Sequence, residues 1–542
     1  MSTSSQAKSR IESPCLKRPA GDIIGGESRE IIDSGSDSTI VSTNPAHPEQ
    51  IVWSGGSDVA HVGEAVAAAR KALPEWSSTP IEKRIEMLRA YQALANERAE
   101  EIGELICAET GKAIWDSTSE AKLLGAKVDI TLDDSKNSGR GRVTGFDLEL
   151  SKTRKGICRF RPHGVMAVVG PFNFPAHLPN GHIVPALLMG NTIVFKPSDK
   201  TPAVGQALAE LFLEALDSVG APAGVFNLVQ GRADVASALV TNRDVDGVLF
   251  TGSWPVGRRI LEANLDQPGK IIALEMGGNN PAVIMPDADL KQAAIECARA
   301  AFVTTGQRCT CTRRILVHKD IAKPFATLLA KISSSMIVGD PKGIGGGSRN
   351  QPVFMGPLIS AEAREQAIDF QSKLAQASAG NPKPILEMTA IDHPSEGHYV
   401  SPGVWQVDRF SLADSIAEDA GADVELFGPL VRLCEFESLD EAIEQANTTR
   451  YGLAASIFTQ DDEAIDRFVA ESRAGCINVN TGTAGASGKL PFGGIGWSGN
   501  HRPAGAFSLD YCAYPIASMI EREPEVSLLP GMHYDDSWMP ND

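Results

Sequence analysis

What most constrains this chain is a series of short, continuous apolar runs, rich in β-branched residues and separated by helix-like segments, that starts near residue 160. VMAVVG, TIVFK, VFNLV, GVLFTG and IIALE offer no polar face at any period. A strand reads that way when helices cover both sides of its sheet, which is the situation of a parallel sheet in an α/β fold. GQALAELFLEALDSVG is one of the intervening helices. A second series follows, with PAVIM, RRILVH and SIFTQ as strands and DLKQAAIECARAAFVTT and DEAIEQAN as helices. Two successive α/β units predict two domains with a ligand cleft between them, and 542 residues are too many for a single core.

Ahead of this region, SDVAHVGEAVAAARKAL predicts a helix with Ser57 as its N-cap. Thr79-Pro80-Ile81-Glu82 predicts a capping box, with Pro80 at the first helical position of the next helix. Residues 142–162 read as a polar, β-prone hairpin that is stable only against something else, such as another subunit. Residues 1–21, rich in Ser, Lys and Arg, read as a disordered extension. Residues 521–542 form an acidic tail, either loose or packed on the surface, and GIGGGS at 343–348 reads as a flexible loop.

The formal net charge of −18 argues against nucleic acid and against an anionic membrane as partners. Nine scattered cysteines without a CxxC pair fit neither a disulfide framework nor a zinc site, so no metal is expected. The N-terminus lacks the apolar core of a secretory signal, and no apolar run is long enough to span a bilayer; a cytoplasmic location is the expectation.

Five motifs carry chemistry. In GPFNFP, at the end of VMAVV, the Asn173 amide can donate to an oxyanion; alone it is equally a turn residue between two aromatics. In VFKPSDKTP, Lys196 and Asp199 are placed to hold the hydroxyls of a ribose, or are a solvated pair in a loop. FTGSWPVG follows the same logic, with Gly252 and Gly257 flanking a strand-to-helix turn whose free N–H groups suit a pyrophosphate. In LEMGGNNP, Glu275 ends a buried strand, where a raised pKa makes a general base; the ordinary alternative is a carboxylate bonded to nearby backbone. In FVTTGQRCTC, a helix ends near Gly306 and leaves Cys309 in a loop as a possible nucleophile, although a lone cysteine is more often inert.

Together with ELFGP (425–429) and PFGGIGWSG (491–499), these motifs occur in an order and spacing that resemble the NAD(P)-dependent aldehyde dehydrogenases over about residues 22–520. The resemblance implies an α/β, aldehyde dehydrogenase-like fold with two Rossmann-like domains and a β-hairpin oligomerisation arm. It implies an NAD-binding domain at 22–140 and 163–275, a catalytic domain at 276–500, and an arm at 141–162 and 501–520. It assigns Cys309 as nucleophile, Glu275 as general base and Asn173 as oxyanion donor. Lys196, Asp199, Gly252, Ser253, Trp254, Pro255, Val256, Gly257, Glu425 and Phe427 are assigned to the cofactor. The acid at Asp199 implies NAD as the preferred cofactor. Thr310, Gly485, Ala486 and Phe492 are assigned to the aldehyde, and a homodimer or homotetramer is implied. AHLPNGHIVP and SGNHRP…DYCAYP are similar to the branch of the family that oxidises N-succinyl-L-glutamate 5-semialdehyde in arginine catabolism. The alternative is another carboxylated semialdehyde, such as glutamate 5-semialdehyde. The direction of Arg308, beside the nucleophile, is not readable from sequence.

Overall fold

The computed structural model describes residues 9–29, 38–343, 351–523 and 526–540. The five apolar runs form parallel neighbours of one seven-stranded sheet, in the order Ile271–Glu275, Gly247–Thr251, Val165–Val169, Thr192–Lys196, Phe226–Leu228. Asp22–Ile24 and Glu27–Arg29 extend it as antiparallel strands. The strand order reverses between Val165–Val169 and Gly247–Thr251, and in open α/β sheets that point is where a crevice opens at the strand C-termini. Helix Pro202–Ser218 buries Leu208, Leu211 and Phe212 against this sheet, with Phe212 stacked on Phe226.

A second seven-stranded sheet runs in the order Lys383–Leu386, Gly403–Gln406, Leu430–Phe436, Thr312–His318, Asn280–Ile284, Ala454–Phe458, Cys476–Val479. All its neighbours are parallel except the first pair. Helix Leu290–Phe302 packs Ala294, Cys297, Ala298 and Phe302 into its core. The fold is therefore the mixed α/β architecture implied by the apolar runs.

Strands Phe146–Glu149 and Arg154–Pro162 form the expected hairpin. A third strand from the far end of the chain, Ala513–Glu521, pairs antiparallel along the whole of Arg154–Pro162. Phe146, Leu148 and Met519 of this three-stranded sheet are exposed.

Three expectations need correction. The stretch 9–21 is packed, not disordered: Ser9–Arg10 pairs in parallel with Gln50 and Ile51, and Cys15 is buried. The N–H groups of Lys17 and Arg18 reach the Glu210 carboxylate at 2.7 and 3.3 Å, so a few anchored groups outweigh the polar composition. The first helix begins at Ala60, and Asp58, not Ser57, accepts its first N–H. The capping box does not form: Thr79 Oγ1 donates to Glu75 O of the preceding helix, and Pro80 sits at the N-cap of Ile81–Glu97. Residues 1–8, and all of the GIGGGS loop beyond Gly343, lie outside the described residues. No described helix is long and apolar enough to cross a membrane.

Candidate active site

Because the strands of the first sheet are parallel and in register, their C-terminal residues arrive side by side: Val169 opposite Lys196, and Thr251 opposite Glu275. Lys196 is buried and donates to the carbonyls of Pro197 and Gly231, each at 2.6 Å. Burial lowers its pKa to about 8, against the pull of Asp199 and Asp234. Asp199 is half-buried in the turn that follows.

Gly252 N–H donates to Glu275 O at 3.0 Å, and helix Trp254–Ala263 starts immediately beyond, with Ser253 in extended conformation as its N-cap. Pro255 lies in the first turn, where a missing N–H costs nothing. Ser253, Pro255 and Val256 are exposed. A Cβ on Gly257 would stand 2.3 Å from Met276 Sδ, so this glycine lets the helix close onto the end of the strand. Trp254 stacks on Trp497 with ring centroids 5.2 Å apart, joining this helix to the segment beyond the second sheet.

The nucleophile loop is held by an unusual turn. Thr304, Thr305 and Gly306 all have left-handed backbone, at φ 55°, 54° and 71°. Two successive threonines in that region are strained and persist only when their surroundings fix them. Thr304 Oγ1 donates to Asp116 and accepts from Arg308 Nε, and Thr305 Oγ1 donates to Gly356 O. Asn280 Nδ2 then donates to the carbonyls of both Cys309 and Cys311, each at 2.8 Å. Cys309 is thereby presented half-buried. Burial, with Glu425 and Glu275 nearby, pushes its thiol up to about 12, so the resting group is a neutral thiol.

Asn173 is buried, and its amide donates to Gln307 O at 3.0 Å, two residues before Cys309. Glu275 receives the N–H of Ala504, while its Oε2 is buried without a partner. Burial raises its pKa well above the carboxylate range. Glu425 Oε1 accepts Gly278 N–H at 3.0 Å; burial raises this group too, with Arg313 opposing. A side chain on Gly277 would occupy the place of the Glu425 carboxylate, at 2.0 Å from its oxygen. Phe427 meets Phe172 edge-on at 5.8 Å. A thiol, a carboxylate with a free oxygen and an amide donor thus converge where the strand ends of the first sheet face the nucleophile loop.

Comparison with known proteins agrees with this geometry. The aldehyde dehydrogenase family profile matches residues 31–515. The chain belongs to the aldehyde dehydrogenase family. It is 42% identical over 487 residues to N-succinylglutamate 5-semialdehyde dehydrogenase 2 of Caulobacter vibrioides, covering 90% of this chain and 94% of that protein. It is 42% identical over 510 residues to N-succinylglutamate 5-semialdehyde dehydrogenase of Burkholderia ambifaria, covering 92% and 98%. Among solved structures, an NAD-dependent aldehyde dehydrogenase from Sinorhizobium meliloti superposes with a TM-score of 0.83 at 27% identity, covering 96% of this chain and 99% of that one. A glyceraldehyde-3-phosphate dehydrogenase from Methanocaldococcus jannaschii complexed with NADP gives a TM-score of 0.79 at 27% identity, covering 90% and 100%.

On the far side of the nucleophile, the aldehyde dehydrogenase holds residues that sequence reasoning placed unevenly. Thr310 is buried, and its carbonyl accepts Thr483 Oγ1 at 2.7 Å. Phe492 is half-buried and pairs with Ala504. Gly485 and Ala486 are exposed, just beyond Ala484, whose carbonyl accepts from Arg299. Arg308, whose direction the sequence left open, turns to Asp116 at 2.7 Å and lies over the Phe174 ring. Sequence reasoning missed helix Ile114–Leu132 altogether. Its Glu120 binds Lys112 at 2.5 Å with both side chains almost wholly buried, and also caps the next helix by accepting the N–H groups of Ala176 and His177. The available signal was the spacing of Asp116, Glu120 and Lys127, which puts three charged residues on the same face as Leu124 and Val128.

Proposed function

We propose that this enzyme oxidises N-succinyl-L-glutamate 5-semialdehyde to N-succinyl-L-glutamate with NAD, through a thioester on Cys309. The observation that carries the chemistry is the convergence of Cys309, Glu275 and Asn173 on one cleft. The substrate reading rests on the two relatives matched over almost their whole length.

Because the resting thiol is neutral, attack on the aldehyde carbon requires a proton acceptor, and Glu275 with its unpartnered oxygen is the group at hand. The Cys309 sulfur bonds to the aldehyde carbon, and negative charge develops on the aldehyde oxygen. The amide of Asn173, with the backbone N–H of Cys309, donates to that oxygen; one such donor is typically worth about 2.7–4 kcal/mol in the transition state. The bound cofactor supplies the acceptor for the hydride that leaves this carbon. Glu275, once the proton taken from the thiol has passed to solvent, removes a proton from the water that attacks the thioester; the carbon–sulfur bond breaks to release the acid, and that second proton returns to the Cys309 sulfur.

The residues fit a dinucleotide. Lys196 and Asp199 lie at one strand end, and the exposed start of helix Trp254–Ala263, with Ser253, Trp254, Pro255, Val256 and the flanking Gly252 and Gly257, lies two strands away across Val165–Val169. Glu425 stands beside Gly277 and Gly278, and Phe427 meets Phe172 in the motif that carries Asn173. Asp199 offers a carboxylate where NADP would bring a further phosphate, which favours NAD. Thr310, Phe492 and the Gly485–Ala486 loop border the aldehyde. In this reading, 22–140 with 163–275 holds the cofactor and 276–500 carries the nucleophile. The arm, 141–162 with 501–520, joins subunits of a homodimer or homotetramer, and the enzyme works in the cytoplasm.

The test is kcat/KM with NAD for N-succinylglutamate 5-semialdehyde and for free glutamate 5-semialdehyde. A preference for the succinylated aldehyde is expected, and a preference for the free one overturns the substrate assignment.

A further inference from the structure

Helix Ile114–Leu132 and its surroundings leave a buried charge unanswered. Lys112 pairs with Glu120 and Arg308 pairs with Asp116, at 2.5 and 2.7 Å. Lys127 is equally buried on the same helix and meets no carboxylate among the described residues. Its Nζ donates to Gly505 O at 2.7 Å and to Ser508 Oγ at 2.8 Å. Burial lowers this ammonium to about 8, only slightly countered by the Cys512 thiol. Three cations thus stand against two carboxylates.

The imidazoles facing Lys127 do not supply the missing anion. His182 has both ring nitrogens satisfied, by Tyr511 at 2.9 Å and Thr251 at 3.2 Å. His177 differs: its Nδ1 is buried with no partner. Burial lowers His177 to about 4, and Lys127, Lys112 and Arg308 all press the same way, so the ring is neutral. A buried charge without a counter-ion, beside a buried nitrogen without a partner, is doubly unfavourable unless something else completes them.

Both groups adjoin the reaction centre. Gly505, whose carbonyl Lys127 holds, follows Ala504, whose N–H reaches Glu275. The His177 ring is 6.4 Å from that of Phe174, the neighbour of Asn173, and Arg308 over the same phenyl ring adjoins Cys309. We propose that Lys127 and His177 seat a carboxylate that the substrate carries away from its aldehyde carbon, and so set a preference for carboxylated over neutral aldehydes. The proposal rests on the carboxylated-substrate reading above. The carboxylate closes the charge count of the helix and accepts from the ammonium and from Nδ1–H of the neutral imidazole; an aldehyde with an apolar end leaves both unanswered.

The test compares N-succinylglutamate 5-semialdehyde with propanal in wild type, Lys127→Met and His177→Leu. The ratio of the two kcat/KM values is expected to fall about 10–100-fold in Lys127→Met, through KM, and by less in His177→Leu. N-succinylglutamate, added as an inhibitor of propanal oxidation, is expected to lose potency in the same order. An unchanged ratio in Lys127→Met, with both aldehydes slowed alike, overturns the proposal and leaves Lys127 as a clasp on residues 504–508. Should Lys127→Met fail to fold, unchanged ratio and unchanged inhibition in His177→Leu overturn it equally. A wild-type enzyme that does not favour the succinylated aldehyde over propanal sinks the substrate reading instead; inhibition by N-succinylglutamate that His177→Leu relieves still supports the seat.

Discussion

The two edges of the cleft are built from different materials. Along the strand ends at Val169, Lys196 and Thr251, the polar groups on offer are mostly backbone, brought close by glycines such as Gly252 and Gly257 that leave no room for a Cβ. Along helix Ile114–Leu132 the polar groups are side-chain charges withdrawn from water: Lys112, Asp116, Glu120 and Lys127. A backbone edge carries no charge of its own to desolvate, and it suits a ligand whose polar atoms repeat along a fixed frame. A charged edge is expensive to assemble, but it distinguishes one ligand charge from another. Glu275 and Cys309 lie between the two, and burial raises the pKa of both.

The sharpest way to break this comparison is at its midpoint. Glu275→Gln is expected to keep a rapid first turnover of NADH only to the extent that another base deprotonates Cys309, and to lose about 10²–10⁴-fold in steady-state rate. Rapid-quench and steady-state assays on the same preparation read both. The pH behaviour follows from the raised pKa. Wild-type steady-state turnover climbs as pH rises through the Glu275 pKa, well above the ordinary carboxylate value, because only the ionised form accepts a proton. Stability runs the other way: the folded state holds this proton more tightly than the unfolded chain, so the folded enzyme loses stability as pH rises above the ordinary carboxylate range toward the raised pKa. Glu275→Gln is expected to flatten both slopes, and a variant that keeps them assigns the titration to another group.

The next largest effect belongs to the charged edge. Glu120→Gln leaves the Lys112 ammonium buried without its partner and weakens the cap on helix His177–Leu188. It is expected to cost about 3–5 kcal/mol, read as a lower denaturation midpoint. A change below 1 kcal/mol would show that water reaches this pair. The smallest effect is expected on the backbone edge. Asp199→Ser leaves a half-exposed turn intact and is expected to move the NAD-over-NADP preference by roughly tenfold, while stability stays within about 0.5 kcal/mol. Equal use of both cofactors by wild type would remove Asp199 from that role.

The same contrast explains what was legible in the sequence. Strand-end chemistry is local: VMAVV predicts a buried strand, and GPFNFP must therefore sit at its end, so Asn173 can be placed without knowing the rest of the fold. Glu275 is legible for the same reason, whereas Cys309, in a loop after a helix, takes its role only from the resemblance of the motifs together. The charged edge is non-local. Asp116, Glu120 and Lys127 look like a solvated helix face until Arg308, Lys112 and Gly505 arrive from elsewhere to cover them. The N-terminal segment misled in the same way, because the carboxylate that orders Lys17 and Arg18 belongs to Glu210, nearly 200 residues on. Thr79 failed as a cap because its side chain turns back to Glu75 O of the preceding helix and Pro80 takes the N-cap position.

Strand Ala513–Glu521, which pairs with Arg154–Pro162, has a consequence for the order in which the molecule is made. The first sheet also depends on that end of the chain: Asn191 donates to Cys512 O, and His182 is bonded to Tyr511. During synthesis, then, the strands of the first sheet leave the ribosome more than 200 residues before the contacts that finish them. Through that interval the hairpin leaves one edge of Arg154–Pro162 unpaired, a template for the wrong neighbour. A truncation at residue 510 would remove no residue assigned to catalysis, yet it would leave the nascent first half permanently in that unfinished state.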